Sequence, residues 1–170
     1  MPVFIVLMDM KEKRNKPELQ EIVIPREDAV FRMDEQGRWF NEFGRITKNS
    51  IIRYFNNSIQ KDEGGYFVTQ EIGERNEKVY FPYEETALFV IDLKFRSDGI
   101  YLLLNTKVEI LLNPHELYVK EDNLYMSHEG EIIKFSERSL VKISKVLEYK
   151  DEETYICLEN SRFLVKTINE

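Results

Sequence analysis

Cysteine is almost missing from this sequence: Cys157 stands alone among 170 residues, which excludes an intrachain disulfide and fits a reducing, cytoplasmic setting. Alanine is equally scarce, with only Ala29 and Ala87, and a chain so poor in the best helix former is not expected to build a helix bundle. The longest amino-terminal apolar run, Val3 to Met8, falls far short of the roughly 20 residues of a membrane helix. It also lacks a basic lead-in, so neither a span nor a signal peptide is expected. Histidine occurs twice, as His115 and His128, with no His-x-x-x-His and no cysteine pair; no metal or other cofactor is expected from such a set. Dinucleotide-binding, Walker, G-x-S-x-G and kinase signatures are all missing. Internal repeats and low-complexity stretches are missing as well.

What is present favours strands. Val, Ile, Thr, Phe, Tyr and Trp supply 55 residues, the types that suit a pleated, half-buried surface. Lys and Arg number 24 against 31 Asp and Glu, a net charge of −7. Residues 1–62 are nearly balanced, with 11 basic and 10 acidic side chains, so the acidity belongs to the remainder. That field repels phosphate backbones, and nucleic acid is an improbable partner.

The order of elements follows from periodicity and turn chemistry. Val3 to Met8 reads as a strand, Asp9 to Glu21 as a solvated loop, and Ile22 to Ile24 as a strand stopped by Pro25. Val30 to Met33 pairs naturally with Arg38 to Phe40 across Asp34-Glu35-Gln36-Gly37, placing Trp39 on the returning arm of a hairpin. Ile51, Ile52, Phe55 and Ile59 recur at helical spacing, which predicts a helix over about 48–62, begun by Thr47 and ended at Gly64-Gly65. From Tyr66 onward strands dominate. Phe89 to Arg96 alternates apolar and polar residues, and turn residues then separate Ile100 to Leu104, Val108 to Leu112, Leu117 to Val119, Leu124 to Ser127 and Glu131 to Phe135. Ser136 can cap a second helix over about 137–148, before a terminal hairpin of Thr154 to Leu158 and Arg162 to Lys166. The fold class is therefore α+β, mainly antiparallel short strands in a meander or partly closed barrel, with two helices. An amino-terminal α+β lobe over 1–75 and a carboxyl-terminal β-rich lobe over 76–170 are expected, or one compact domain.

Several short motifs carry a family resemblance: Gly37-Arg38-Trp39-Phe40, Gly44-Arg45-Ile46, Ile51-Ile52-Arg53-Tyr54-Phe55, Gly65-Tyr66-Phe67-Val68-Thr69 and Glu85-Thr86-Ala87-Leu88-Phe89-Val90. Over residues 35–95 the chain resembles an uncharacterised bacterial family catalogued as domain of unknown function 1285. It departs from that pattern at Thr69-Gln70-Glu71, where the family has Thr-Pro before Glu, and at Thr86-Ala87-Leu88-Phe89, where the family has Asp-Ala-Pro-Phe. The resemblance implies an α+β protein with two adjoining lobes divided near residues 72–78. It implies no known activity.

Candidate chemistry is thin. Glu84, Glu85 and Asp92 form an acidic group, but neighbouring strand residues point to opposite faces, and Asp92 shares its face with Lys94 and Arg96. Cys157 sits between Ile156 and Leu158 and reads as a small core residue. The aromatic and basic residues around Trp39, Arg45 and Arg53 offer stacking and charge-assisted bonds to an anionic or aromatic molecule. The leading expectation is a non-enzymatic binding or regulatory module with a small ligand in a cleft between lobes, held by Trp39, Arg45, Arg53, Glu85 and Asp92. Two alternatives stand beside it: a hydrolase or lyase working through Glu85, Asp92 and His115, and a protein-interaction module, including a homodimer, that pairs through a strand edge.

Overall fold

A computed structural model of the protein describes residues 19–169. The expected strand Val3 to Met8, and the polar stretch after it as far as residue 18, lie outside the described residues. The chain begins with β1 (Gln20–Ile24), β2 (Phe31–Met33), β3 (Trp39–Asn41), β4 (Gly44–Arg45), α1 (Asn49–Ser58), β5 (Ile59–Asp62), β6 (Gly65–Ile72) and β7 (Arg75–Tyr80). It continues with β8 (Phe89–Arg96), β9 (Gly99–Leu104), β10 (Glu109–Leu111), β11 (Leu117–Lys120), β12 (Asn123–His128) and β13 (Glu131–Phe135). The last elements are α2 (Glu137–Ile143), β14 (Leu147–Lys150), β15 (Glu153–Leu158) and β16 (Ser161–Ile168).

These strands form three sheets. Four strands run in the order β1-β7-β6-β5, three in the order β2-β3-β4, and nine in the order β10-β9-β8-β13-β12-β11-β16-β15-β14. Hairpin neighbours pair antiparallel, as the meander requires. Three long-range pairs are parallel, namely β1 with β7, β8 with β13 and β11 with β16. The nine-stranded sheet stays open, with β10 and β14 as its edges. No helix among the described residues is long and apolar enough to cross a membrane.

The hairpin around Trp39 forms where turn chemistry places it. Asp34 accepts from the Gln36 and Arg38 amides at 3.0 and 2.9 Å, and Gly37 turns the chain at a φ of +74°. A Cβ at Gly37 would stand 2.8 Å from the Phe89 ring, so glycine is required there both for the turn and for close packing. Ser136 caps α2 by accepting from the Ser139 amide, as expected.

Both helices end earlier than their apolar spacing predicts. Ile59 continues the stripe of α1 but opens β5, pairing with Val68, and Leu147 continues the stripe of α2 but opens β14, pairing with Ile156. Gly64-Gly65 consequently turns a β5–β6 hairpin and does not cap the helix. Lys48, not Thr47, occupies the cap position of α1, and no side chain caps it.

Burial divides into two hydrophobic cores. The first gathers Phe31, Met33, Trp39, Ile59, Tyr66, Val68, Val79, Phe81, Ala87 and Phe89; the second runs from Val90 to Val165 and is almost entirely aliphatic. Leu88 packs against both. Hairpin tips in the second half turn on seven non-glycine residues in the left-handed region, of which Glu121, Asp122, Glu129, Asp151, Glu152 and Glu159 are acidic.

Candidate functional site

The segment 86–90 runs along the seam between the cores. Thr86 Oγ1 donates to the Ile132 carbonyl at 2.6 Å, the Lys134 amide to Leu88 at 3.0 Å, and the Ser136 amide to Val90 at 3.1 Å. On its other side Asn105 accepts from the Phe89 amide at 3.0 Å and donates to the Ala87 carbonyl at 2.9 Å. Among the described residues no buried side-chain polar atom is left without a partner, as burial demands.

A cleft of about 480 Å³ opens beside the seam. Its apolar walls come from both halves: Ile59 from β5, Leu88, Leu104, Ile110 and Ile133 from the second core and its margin, and the half-exposed Val108 just before β10. One end is polar. Lys61 Nζ and the Tyr66 hydroxyl both donate to Glu131 Oε2, at 2.7 and 2.8 Å, and the Lys61 ammonium lies 5.0 Å from the Tyr66 ring centroid. Tyr66 and Thr86 are 3.3 Å apart, but each hydroxyl has one proton and the shorter bonds to Glu131 and Ile132 claim both. His128 and Glu129 stand at the rim.

Electrostatics here follow from burial and pairing. Burial, reinforced by the Glu131 carboxylate, holds the Tyr66 phenol well above its usual range. Burial also works to raise Glu131, but bonds from Lys61 and Tyr66 outweigh it and its carboxyl lies below the usual range. Glu131 therefore stays ionised and ties the β5–β6 hairpin to β13. Since its partners sit 65 and 70 positions away, no local motif announces this cluster.

The residues singled out from sequence fall in different places. Trp39 is 1% exposed, with its ring centroid 5.8, 5.1 and 4.8 Å from those of Phe31, Phe55 and Phe81, and its Nε1 donates to Asn56 Oδ1 at 2.7 Å. Its faces are occupied by core packing. Arg45 and Arg53 are exposed, have no carboxylate partner among the described residues, and do not line the cleft. Glu85 accepts from the Tyr125 hydroxyl at 3.2 Å and lies 3.9 Å from Lys120. Asp92 pairs with Lys142 of α2, and that bond, with one from the Leu93 amide, holds its carboxyl low. His115 packs edge-on to Phe163. No hydrogen bond or ion pair among the described residues joins any two of Trp39, Arg45, Arg53, Glu85, Asp92 and His115.

A second polar cluster surrounds Glu85. Tyr118 and Tyr125, cross-strand partners on β11 and β12, stack with centroids 5.2 Å apart and planes 9° from parallel. Lys134, 6% exposed, follows on β13 and donates to the Glu35 carbonyl at 3.0 Å. Burial, with the Glu85 charge, pushes both tyrosines upward.

No family model matches this sequence, and no curated protein is significantly similar to it. Two solved structures share its fold. A DUF1285 family protein from Silicibacter pomeroyi is 13% identical, with a TM-score of 0.56 over 87% of this chain and 83% of that one. Another from Shewanella baltica is also 13% identical, with a TM-score of 0.50 over 70% of this chain and 93% of its own. The architecture built by these residues is thus that of DUF1285 proteins, the same family that the motifs between residues 35 and 95 resemble.

Proposed function

We propose that this protein is a binding or regulatory module whose small ligand occupies the cleft between the two cores. The observation that carries this reading is the cleft itself: about 480 Å³, apolar along its walls and polar at one end, the usual composition of a small-molecule site. Its chemistry suits an amphipathic molecule with an apolar body and a hydrogen-bonding head directed to Lys61, Tyr66 and Glu131. With Glu129 and Glu131 facing a single lysine, the cleft favours a neutral or cationic head over an anionic one.

Thermal unfolding against a panel of neutral, cationic and anionic amphipathic metabolites tests the proposal. A ligand present at 100 times its Kd stabilises the fold by about 2.7 kcal/mol, and each kcal/mol raises Tm by roughly 2–4 °C at this chain length. Val108→Trp, at a half-exposed wall position, fills the cleft without opening the core and is expected to abolish the shift. No stabilising ligand in the panel, or a shift that survives Val108→Trp, would overturn the reading.

A further inference from the structure

A different surface carries a more specific recognition signal. In the small sheet Arg32 pairs with Phe40, and Phe40 with Arg45, so all three side chains stand in one row on one face. The Arg32 guanidinium lies 4.5 Å from the Phe40 ring centroid, and both arginines are exposed. Among the described residues neither has a carboxylate partner. Two such cations thus share one face within a chain whose net charge is −7.

The opposite side of the same segment is apolar at its centre. A groove of about 390 Å³ lies beside β4 and α1, lined by Val30, Phe31, Ile46, Ile51 and Phe55, with Asn41, Thr47, Lys48 and Gln70 completing the lining, and Val30 is 73% exposed. Between the two faces runs an edge. β4 is the outermost strand of its sheet, and the chain is still extended at Lys48, with φ of −73° and ψ of 109°. The Ile46 amide bonds inward to Trp39; ladder alternation then turns the backbone groups of Arg45 outward.

We propose that the β4 edge binds an extended peptide segment of a partner protein in which acidic and apolar residues alternate. In a strand added to this edge, successive side chains point to opposite faces. Every second residue would enter the groove, and the residues between would meet Arg45, with Arg32 behind it over Phe40 adding to the positive field of that face. Charge complementarity selects the acidic partner, and the two-residue period matches the two-faced edge. An anionic membrane would satisfy the arginines, but it supplies no strand to read that alternation.

A random twelve-residue peptide library selected on the whole protein tests this, followed by fluorescence anisotropy with the enriched peptide. The expected result is enrichment of alternating acidic and apolar residues. Arg32→Glu/Arg45→Glu should weaken the enriched peptide at least tenfold while leaving the melting temperature unchanged, and Val30→Asp should weaken it independently. A peptide of the same composition with its acidic and apolar residues in separate blocks should bind at least tenfold more weakly. Three outcomes overturn the proposal: no enrichment, equal binding of the block peptide, or binding of phosphatidylserine vesicles that the arginine variant abolishes while no peptide binds.

Discussion

The two cores are built from different material. Half of the first consists of aromatic residues, Phe31, Trp39, Tyr66, Phe81 and Phe89, whereas the second contains Phe135 as its one aromatic member among leucine, isoleucine, valine and methionine. Aromatic rings pack edge-to-face at set distances, as Trp39 does with Phe31 and Phe55, and Trp39 is further fixed by its bond to Asn56. Aliphatic side chains of similar volume exchange places more freely. The first core is therefore specified by geometry and the second by volume.

Three experiments sharpen or break that contrast. The largest effect is expected from Trp39→Ala, at about 3–5 kcal/mol, because no neighbour can fill the space of an indole. Leu102→Met in the aliphatic core should cost less than about 1.5 kcal/mol. Urea denaturation followed by circular dichroism compares them, and equal losses would abolish the distinction.

Next in size is the coupling of the two cores. Thr86→Val removes the hydroxyl that holds Ile132 and Leu88 and should cost about 1–3 kcal/mol by leaving buried groups unpaired. Trp39 is the sole tryptophan, so its fluorescence reports the first core while circular dichroism reports both. The two curves should coincide in the native sequence and separate in the variant. Coincident curves with unchanged stability would mean that the seam does not couple the cores.

The smallest effect is expected in acid. Burial raises the Asp34 carboxyl, but bonds from the Arg38 backbone and side chain and from the Gln36 amide outweigh it, so the folded value lies below the unfolded one. The unfolded chain then binds more protons, and the contribution of Asp34 is complete above its unfolded value near 3.8 and disappears as pH falls through the folded one. Asp34→Asn should flatten the loss of stability below about pH 4 and lower stability at neutral pH, where the contribution of the carboxylate is complete. A wild-type slope in the variant would assign that acid sensitivity to other carboxylates, Glu131 among them.

The sequence made local geometry legible and left distant geometry unread. The hairpin around Asp34 and Gly37 and the bounds of β8 and β13 are written in neighbouring residues, but the expected alternation of β8 breaks at an irregularity between Val90 and Asp92, so that Val90 is buried while Ile91 and Phe95 are exposed. The helix ends were misread for one physical reason. Ile59 and Leu147 fall at helical spacing because each must be buried beneath its helix, and a strand start buries them equally well. The parallel pairs left no such trace, because β1 and β7 meet across half a hundred residues. Likewise Lys61, Tyr66 and Glu131 converge only once both halves have formed. Trp39 was conspicuous as a type, yet composition carries no information about which way a ring faces.

The acidic hairpin tips bear on how two copies of this protein would meet. Six carboxylates sit where the backbone φ is positive, a conformation that glycine adopts freely and glutamate does not. Glycine at those tips would relax the backbone and erase most of the net charge of −7 in the same stroke. Conformational ease and mutual repulsion between molecules are therefore set against each other at the same six positions.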